Sequence, residues 1–510
     1  MAQNREHMYI GAPGFMGLNT QDSPVGMNPA FASVAEHAVI DQFGRIGARK
    51  GLNKLTSSAS PLGSSVGLEA IFQYNDLDGT STVFSAGNNK IFTGTTSLTD
   101  VTPSGYSPSA NNWKIVNFNN HAYFYQKGHE SLVYTDESGS GVLDNIGDHA
   151  HATGTAPAGN EVLAAFGRLW VADVVGNTYT LYFSDALNGH AWTGGSSGSL
   201  NVTSVWPNGQ DDIVALASQN NFLIIFGKRN ILVYEGATDP SEMTLSDTIV
   251  GIGCIARDSV QNIGSDILFL SDTGVRSLGR TIQEKSMPMR DLSKNVRDDM
   301  MQTVRSEITG KIKSVYSPEN AFYLLSLPTS NVVFCFDTRS PLEDGSFRVT
   351  TWPNIDIRSF HRTADRILYL GTDKGISFYD GYQDDATPYV LRYYTPPMTF
   401  ENPSQLKILK EANFRVIGGK GATLVLNWAY DYTEAYRKQI LVLDDPLTAE
   451  YGISEYNIAA EYSSGIIIDN AIAKTTGSGT VVTLGVDATL NNGALSIQEL
   501  KAEALIGRNI

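Results

Sequence analysis

Between about residue 70 and residue 382 the chain keeps returning to one hairpin: a polar turn, four to six apolar residues, a second polar turn and a second apolar run. The copies read NNKIFTG at Asn88, NNHAYFYQKGHESLVYTD at Asn119, FGRLWVADVVGNTYTLYFSD at Phe166 and NNFLIIFGKRNILVYEG at Asn220. GSDILFLSDTGVRSLGR at Gly264, ENAFYLLSLPTSNVVFCFD at Glu319 and ADRILYLGTDKGISFYDG at Ala364 continue the series. Anchor positions Asn89, Asn120, Gly167, Asn221, Ser265, Asn320 and Asp365 lie 31 to 55 residues apart, with a mean of 46. A four-stranded propeller blade takes about 40 to 50 residues and buries its faces only against neighbouring blades. Within a unit, Leu169, Val171, Tyr179, Leu181 and Phe183 alternate with other residues as strands require. The pattern predicts an all-β fold with a β-propeller of about six blades; a string of β-sandwiches is the rival.

Composition agrees. A length of 510 residues predicts two to four domains, or one large all-β domain with appendages. Hydrophobic residues at 42% and aromatics at 10% are enough for a buried core, while 48 glycines and only 18% charged residues favour turns and strands over surface helices. The net charge of −16 opposes tight nucleic-acid binding, which needs a basic footprint, but an acidic wall lets DNA slide without adsorbing.

Two segments depart from the hairpins. In MPMRDLSKNVRDDMMQTVRSEITGK, Leu292, Val296, Met300, Val304 and Ile308 recur every four residues, with Asp291 or Ser293 as N-cap and Gly310 beyond the end. This predicts one amphipathic helix of about 16 residues packed on the β-domain. After residue 395, the proline-bearing YYTPPMTFENPSQ reads as a connector. Alternating strands follow over Thr423 to Tyr430, Tyr456 to Tyr462, Thr480 to Val486 and Ala494 to Ala502. They predict a β-sandwich over 396–510, with Gly418 to Gly421 as a hairpin turn. Residues 61–395 are then the propeller. Residues 1–60, poor in apolar content before Val34, are expected to pack on the C-terminal domain and form a platform with it.

No residue set stands out as catalytic, cofactor-binding or metal-binding, and the chain is read as not an enzyme. His149 and His151 share one face of an extended segment but have only Asp148 nearby as a further ligand. NDLDGTSTVFSAG at Asn75 has Gly87 where a calcium loop counted from Asp76 needs Glu, and reads as an Asp-Gly hairpin turn. The glycines around Lys420 lack the following helix of a phosphate loop. Acid pairs Asp211–Asp212, Asp298–Asp299, Asp384–Asp385 and Asp444–Asp445 read as solvated turns rather than glycosidase carboxylates. Cys254 and Cys335 sit in apolar strand contexts and read as buried thiols, with a single bridge between them left open. No apolar run has the length of a signal core or a membrane helix, so synthesis in the cytoplasm without membrane insertion is expected.

The N-terminal segment GFMGLNTQDSPVGMNPAFASVAEHAVIDQFGRIGARKGL resembles the opening of tail hub or nozzle proteins (tail tubular protein B type) of short-tailed bacteriophages. The resemblance is carried by Gly17, Leu18 and Asn19, by Ser23 and Pro24, and by Asp41, Gly44, Arg45, Arg49, Lys50 and Gly51. Units shaped like GRLWVAD…TLYFSD…W from Gly167 to Trp192, the Ser496-Ile497-Gln498 strand and the terminal Gly507-Arg508 accompany it. Independently of family, Arg45, Arg49 and Lys50 in an acidic chain suit ion pairs, either to an acidic neighbour or to a carboxylate of the same fold, with a solvated turn as the alternative.

This resemblance implies a virion structural protein of the phage tail: a homo-hexameric nozzle below the head-to-tail adaptor, through which DNA is ejected without specific binding. Its loops would contact tail fibres or a plug protein. Two alternatives remain at this point. One is a carbohydrate-binding or carbohydrate-cleaving propeller using Trp113, Trp170, Trp192, Trp206 and Trp352 as sugar platforms; the other is a virion decoration protein.

Overall fold

A two-residue hairpin turn matches the twist of its strands when both central residues hold positive φ, and asparagine accepts that conformation more readily than most residues. The repeated Asn pairs do this: Asn88–Asn89, Asn119–Asn120 and Asn220–Asn221 have φ between 46° and 66°, and Phe166–Gly167 does the same at 55° and 69°. The turns and strands are seen in a computed structural model that describes residues 5–57, 62, 67–136, 141–207, 209–284, 291–400, 403–419, 421–443, 448–449, 461–462 and 468–509.

The hairpins grow into seven antiparallel sheets, one per anchor. Blade one is Ala70–Asn75, Ser81–Gly87, Lys90–Thr93 and Thr99–Asp100; blade two is Lys114–Phe118, His121–Tyr125, Leu132–Thr135 and Val142–Asn145. Blade three is Gly159–Ala165, Arg168–Val174, Thr180–Phe183 and Gly198–Asn201, and blade four is Ile213–Gln219, Phe222–Gly227, Asn230–Glu235 and Thr244–Val250. Blade five has three strands, Gln261–Asn262, Ile267–Ser271 and Gly274–Ser277, and its inner position is filled mainly by the 3-10 turn Arg257–Ser259. Lys313–Ser317, Phe322–Leu327, Val332–Asp337 and Arg348–Pro353 form blade six. Ser359–Arg362, Leu368–Thr372 and Gly375–Tyr379 form blade seven, whose outer strand is Leu52–Lys54 from the far N-terminal end.

Inner strands neighbour one another in sequence order, and blade seven returns to blade one, so the ring is a closed β-propeller. Six of the seven junctions between blades have an apolar layer of their own. Ile91, Trp113 and Phe124 fill the junction of blades one and two; Trp170, Leu216 and Leu223 fill that of three and four; Phe226, Cys254 and Phe269 fill that of four and five. The layer between blades five and six is continuous with the core of the second domain.

That second domain is a β-sandwich. One sheet runs Ile468–Lys474, Gln405–Gly418, Leu495–Asn509, Ile46–Ala48 and Ala38–Ile40, with Arg5–Gly11 paired along the other end of Leu495–Asn509. The other sheet extends blade six: Val34–Glu36 pairs with Arg348–Pro353, and Tyr389–Tyr394, Val482–Leu490, Thr423–Tyr430 and Arg437–Val442 follow. Leu409, Phe414 and Val416 meet Leu424, Leu426 and Leu484 in its core.

Several expectations change. Seven anchors enclose six intervals, and the ring holds seven blades, not about six. Leu52–Lys54, inside the range assigned to the N-terminal segment, belongs to the propeller, while Tyr389–Tyr394, inside the propeller range, is a sandwich strand. Gly418, Gly419 and Gly421 do not join a hairpin: the strands before and after them lie in opposite sheets, so this turn is a crossover. Most of the strand expected over Tyr456 to Tyr462 lies outside the described residues, as does Lys420.

The helical stripe is shorter than its periodicity implied. The α-helix spans Arg297–Ser306 after a 3-10 turn, Lys294–Val296. Leu292, Val296, Met300 and Val304 are buried, but Ile308 lies past the end and is 56% exposed. Neither expected cap serves the helix; the Ser293 hydroxyl instead accepts from Val275 N. A second short helix, Leu278–Glu284, follows blade five.

Trp352, fully buried, stacks on Tyr379 of blade seven at 5.6 Å and donates its indole N–H to Ala38 O at 2.9 Å. It therefore touches blade six, blade seven and the N-terminal segment together. Trp352→Ala is expected to cost about 3–5 kcal/mol in chemical denaturation, and Trp352→Phe clearly less.

Candidate functional site

Two places concentrate buried charge: the seam between platform and propeller, and the propeller axis.

At the seam, the cations of the Asp41 to Gly51 segment face inward. Arg45, 1% exposed, donates Nε–H to Asp41 Oδ2 at 2.7 Å, and Ser496 Oγ donates to the same oxygen at 3.1 Å. Arg49, fully buried, clamps Asp384 through both terminal nitrogens at 2.8 and 2.5 Å. Its Nε–H donates to His37 Nδ1 at 3.2 Å, and its guanidinium lies 4.1 Å from the Tyr389 ring centroid and 5.8 Å from that of Trp352. His37 must be neutral to accept; burial, then the Arg49 charge, push it down to about 4. Lys50 pairs with Asp380 at 3.3 Å. Gly51 passes so close to Gln383 that an added Cβ would stand 1.8 Å from its carbonyl oxygen, so the position admits only glycine. These cations therefore meet carboxylates of their own chain.

At the axis, Arg257 crosses from the blade-five turn to Asn160 O at 2.6 Å on blade three and to Asn112 Oδ1 at 2.8 Å beside blade two. Asp258 accepts from Arg257 at 2.8 Å and from Lys313 of blade six at 2.7 Å. Burial opposes ionisation of Asp258, but Arg257, Lys313 and Lys114 together hold it well below the usual carboxylate range. Glu161, 1% exposed, has no hydrogen bond at Oε2; burial raises its carboxyl to about 7, against the pull of Lys114 at 3.7 Å and Arg257 at 4.0 Å. The network ties four blades across the shortened inner strand of blade five. Beside it lies a cavity of about 290 Å³ lined by Trp113, Lys114, Asp258, Gln261, Lys313 and His361 among others.

The remaining sequence candidates resolve as packing. Asp78–Gly79 forms the hairpin turn expected there, with Gly79 N donating to Asp76 O. Asp211 is no solvated turn: it is buried and its carboxylate accepts from Lys228 N, Arg229 N and Asn230 Nδ2. Asp384 binds Arg49, Asp298 accepts from Gln21, and Asp444 and Asp445 lie outside the described residues. Cys254 and Cys335 are both buried and unpaired with each other, in different blade junctions. Trp113, Trp170, Trp206 and Trp352 are buried and Trp192 half-buried, so none presents an open face as a sugar platform.

His149 stacks on the buried His190 ring at 3.7 Å, with His121 4.9 Å from His190, a cluster invisible in sequence because its members are 69 residues apart at most. Burial, then the neighbouring imidazoles, push His190 down to about 3. No group of three or more His, Cys, Asp or Glu among the described residues has metal-holding geometry, and no helix among them is long and apolar enough to cross a membrane.

No family model matches this sequence, and no curated protein matches it. Solved structures that resemble it in part include the extracellular domain of a putative hybrid two component system from B. thetaiotaomicron, at 12% identity over 67% of this chain and 41% of that one, TM-score 0.41. YCF48 bound to D1 peptide aligns at 9% identity over 65% of this chain and 98% of that one, TM-score 0.35. The Neurospora crassa Pan2 WD40 domain aligns at 10% over 65% and 94%, TM-score 0.36. The chain thus spans less than half the length of the first of these.

Arg49→Met leaves Asp384 without its partner, but that carboxylate keeps 31% of its surface and can rehydrate, so the expected loss is about 2–3 kcal/mol by denaturant titration. Glu161 has a raised folded-state pKa, so its favourable contribution is complete below about pH 4.5 and is lost as pH rises towards 7. Relative to Glu161→Gln, the parent protein is expected to lose roughly 1–3 kcal/mol between pH 4.5 and pH 8. Parallel melting curves at both pH values check this; an unchanged difference refutes the buried-acid assignment.

Proposed function

We propose that this chain is a virion structural protein that forms the distal tail nozzle or hub of a short-tailed bacteriophage, a homo-hexameric ring below the head-to-tail adaptor through which DNA leaves. The observation that carries the reading is the meeting of the two resembling segments. Asp41 to Gly51 and Ser496 to Gln498 are some 450 residues apart, yet Ser496 pairs with Gly47, Ile497 pairs with Ile46, and Ser496 donates to Asp41. Residues that look like a family signature thus build one platform from which the propeller emerges.

Two further features support it. The platform ends in the strand Arg437–Val442, which among the described residues pairs only with Thr423–Tyr430 and leaves Ile440 60% and Val442 67% exposed. Exposed apolar residues on a sheet edge that no described strand covers suit contact with another subunit. The charge of −16 per chain, repeated around a ring, repels a passing duplex and keeps it from adsorbing.

Quantitative mass spectrometry of purified particles, normalised to the portal protein, is expected to give about six copies per particle. Hundreds of copies would instead indicate a decoration protein, and absence from particles would end the virion reading. Ile440→Asp, on the exposed edge, is expected to leave the isolated chain folded while reducing incorporation at least tenfold.

A further inference from the structure

Within an acidic chain, the propeller axis gathers three cations from blades two, five and six. Lys114, Arg257 and Lys313 face two carboxylates, Asp258 and Glu161. Arg257 and Lys313 are satisfied, each with hydrogen bonds to Asp258 and to Asn112. Lys114 is not comparably held: its Nζ reaches Asp258 at 3.6 Å and Glu161 at 3.7 Å, beyond hydrogen-bond length, and its side chain is 30% exposed. Further charged residues surround these. Arg362 pairs with Glu319, Arg358 pairs with Asp356, and Lys311 shares the adjoining 170 Å³ pocket with Glu69, which also lines the axial cavity.

A cation with spare donors on the wall of a concave site is a receptor for an oxyanion, because partial desolvation strengthens the charge-assisted hydrogen bond. The rest of the wall suits an organic body. Phe72, only partly buried, supplies apolar surface, and Gln261 and Ser359 supply polar atoms. A volume of about 290 Å³ lies at the small end of ligand sites, the scale of a monosaccharide.

We propose that the axial cavity binds a small organic oxyanion of monosaccharide-acid size, its carboxylate or phosphate seated on Lys114 and its body against Phe72. The bound anion gives Lys114 Nζ the partner at hydrogen-bond length that neither Asp258 nor Glu161 supplies. This inference does not depend on the virion reading, since it concerns the isolated chain.

The test uses the full chain in thermal-shift and calorimetric titrations with D-glucuronate, glucose 6-phosphate and inorganic phosphate, against sodium chloride at equal ionic strength. Glucuronate and the phosphate ester separate the two sources of oxyanion, and inorganic phosphate reports the head group alone. At least one organic anion is expected to give a saturable rise in melting temperature with a dissociation constant in the low millimolar range or tighter, beyond that of inorganic phosphate. Lys114→Met should weaken that binding at least tenfold, and Lys114→Arg should retain it, which guards against loss through misfolding. Saturation by none of the probes, or equal binding by the parent and Lys114→Met, would overturn the proposal.

Discussion

Arg49 holds together parts of the molecule that lie far apart in sequence. Its guanidinium is clamped on Asp384, donates to His37, and is covered by Tyr389 of the sandwich and Trp352 of blade six. The residues just before it pair with the C-terminal strand, and those just after it complete blade seven. A ring of blades must be closed, and here the closing strand comes directly from the platform. This one buried arginine therefore ties the root of the closing strand to the sandwich. A bidentate, stacked site of this kind suits arginine and would not suit lysine.

The propeller has a matching constraint at its axis. Blade five keeps only two residues of its inner strand, and a 3-10 turn takes the rest of that place. Such a turn cannot supply a full ladder of backbone hydrogen bonds, so side chains hold it: Arg257 reaches blades two and three, and Asp258 receives Lys313 from blade six. Burying this much charge is costly unless nearly every group is paired. Two groups are imperfectly paired: Glu161 Oε2 has no hydrogen bond, and Lys114 Nζ stays beyond hydrogen-bond length of both Asp258 and Glu161.

Much of the fold was legible in the sequence because it is local. Asn pairs at hairpin turns, apolar alternation and a spacing near 46 residues all act over short distances, and the structure follows them anchor by anchor. Less legible was everything that depends on a partner far along the chain. Leu52–Lys54 is too short to announce itself as a blade strand, and Gly418 to Gly421 look the same whether a chain doubles back in one sheet or crosses to another. Ile308 continued a helical period that the backbone abandons at Ser306. Acidic pairs such as Asp211–Asp212 resembled solvated turns because sequence does not say which carboxylate will be buried among backbone N–H groups.

The candidate sites divide in the same way. The sequence by itself determined an all-β chain, a repeated blade unit, an acidic surface and a short basic segment seeking carboxylates, since these follow from composition, periodicity and local turn chemistry. Tertiary structure alone decided that the carboxylate for Arg49 is Asp384, that seven blades close on an N-terminal strand, and that Lys114, Glu161, Arg257, Asp258 and Lys313 converge on one axis. Ring closure brings together inner strands from units separated by up to about 290 residues, and no local rule specifies which side chains will then share a low-dielectric space.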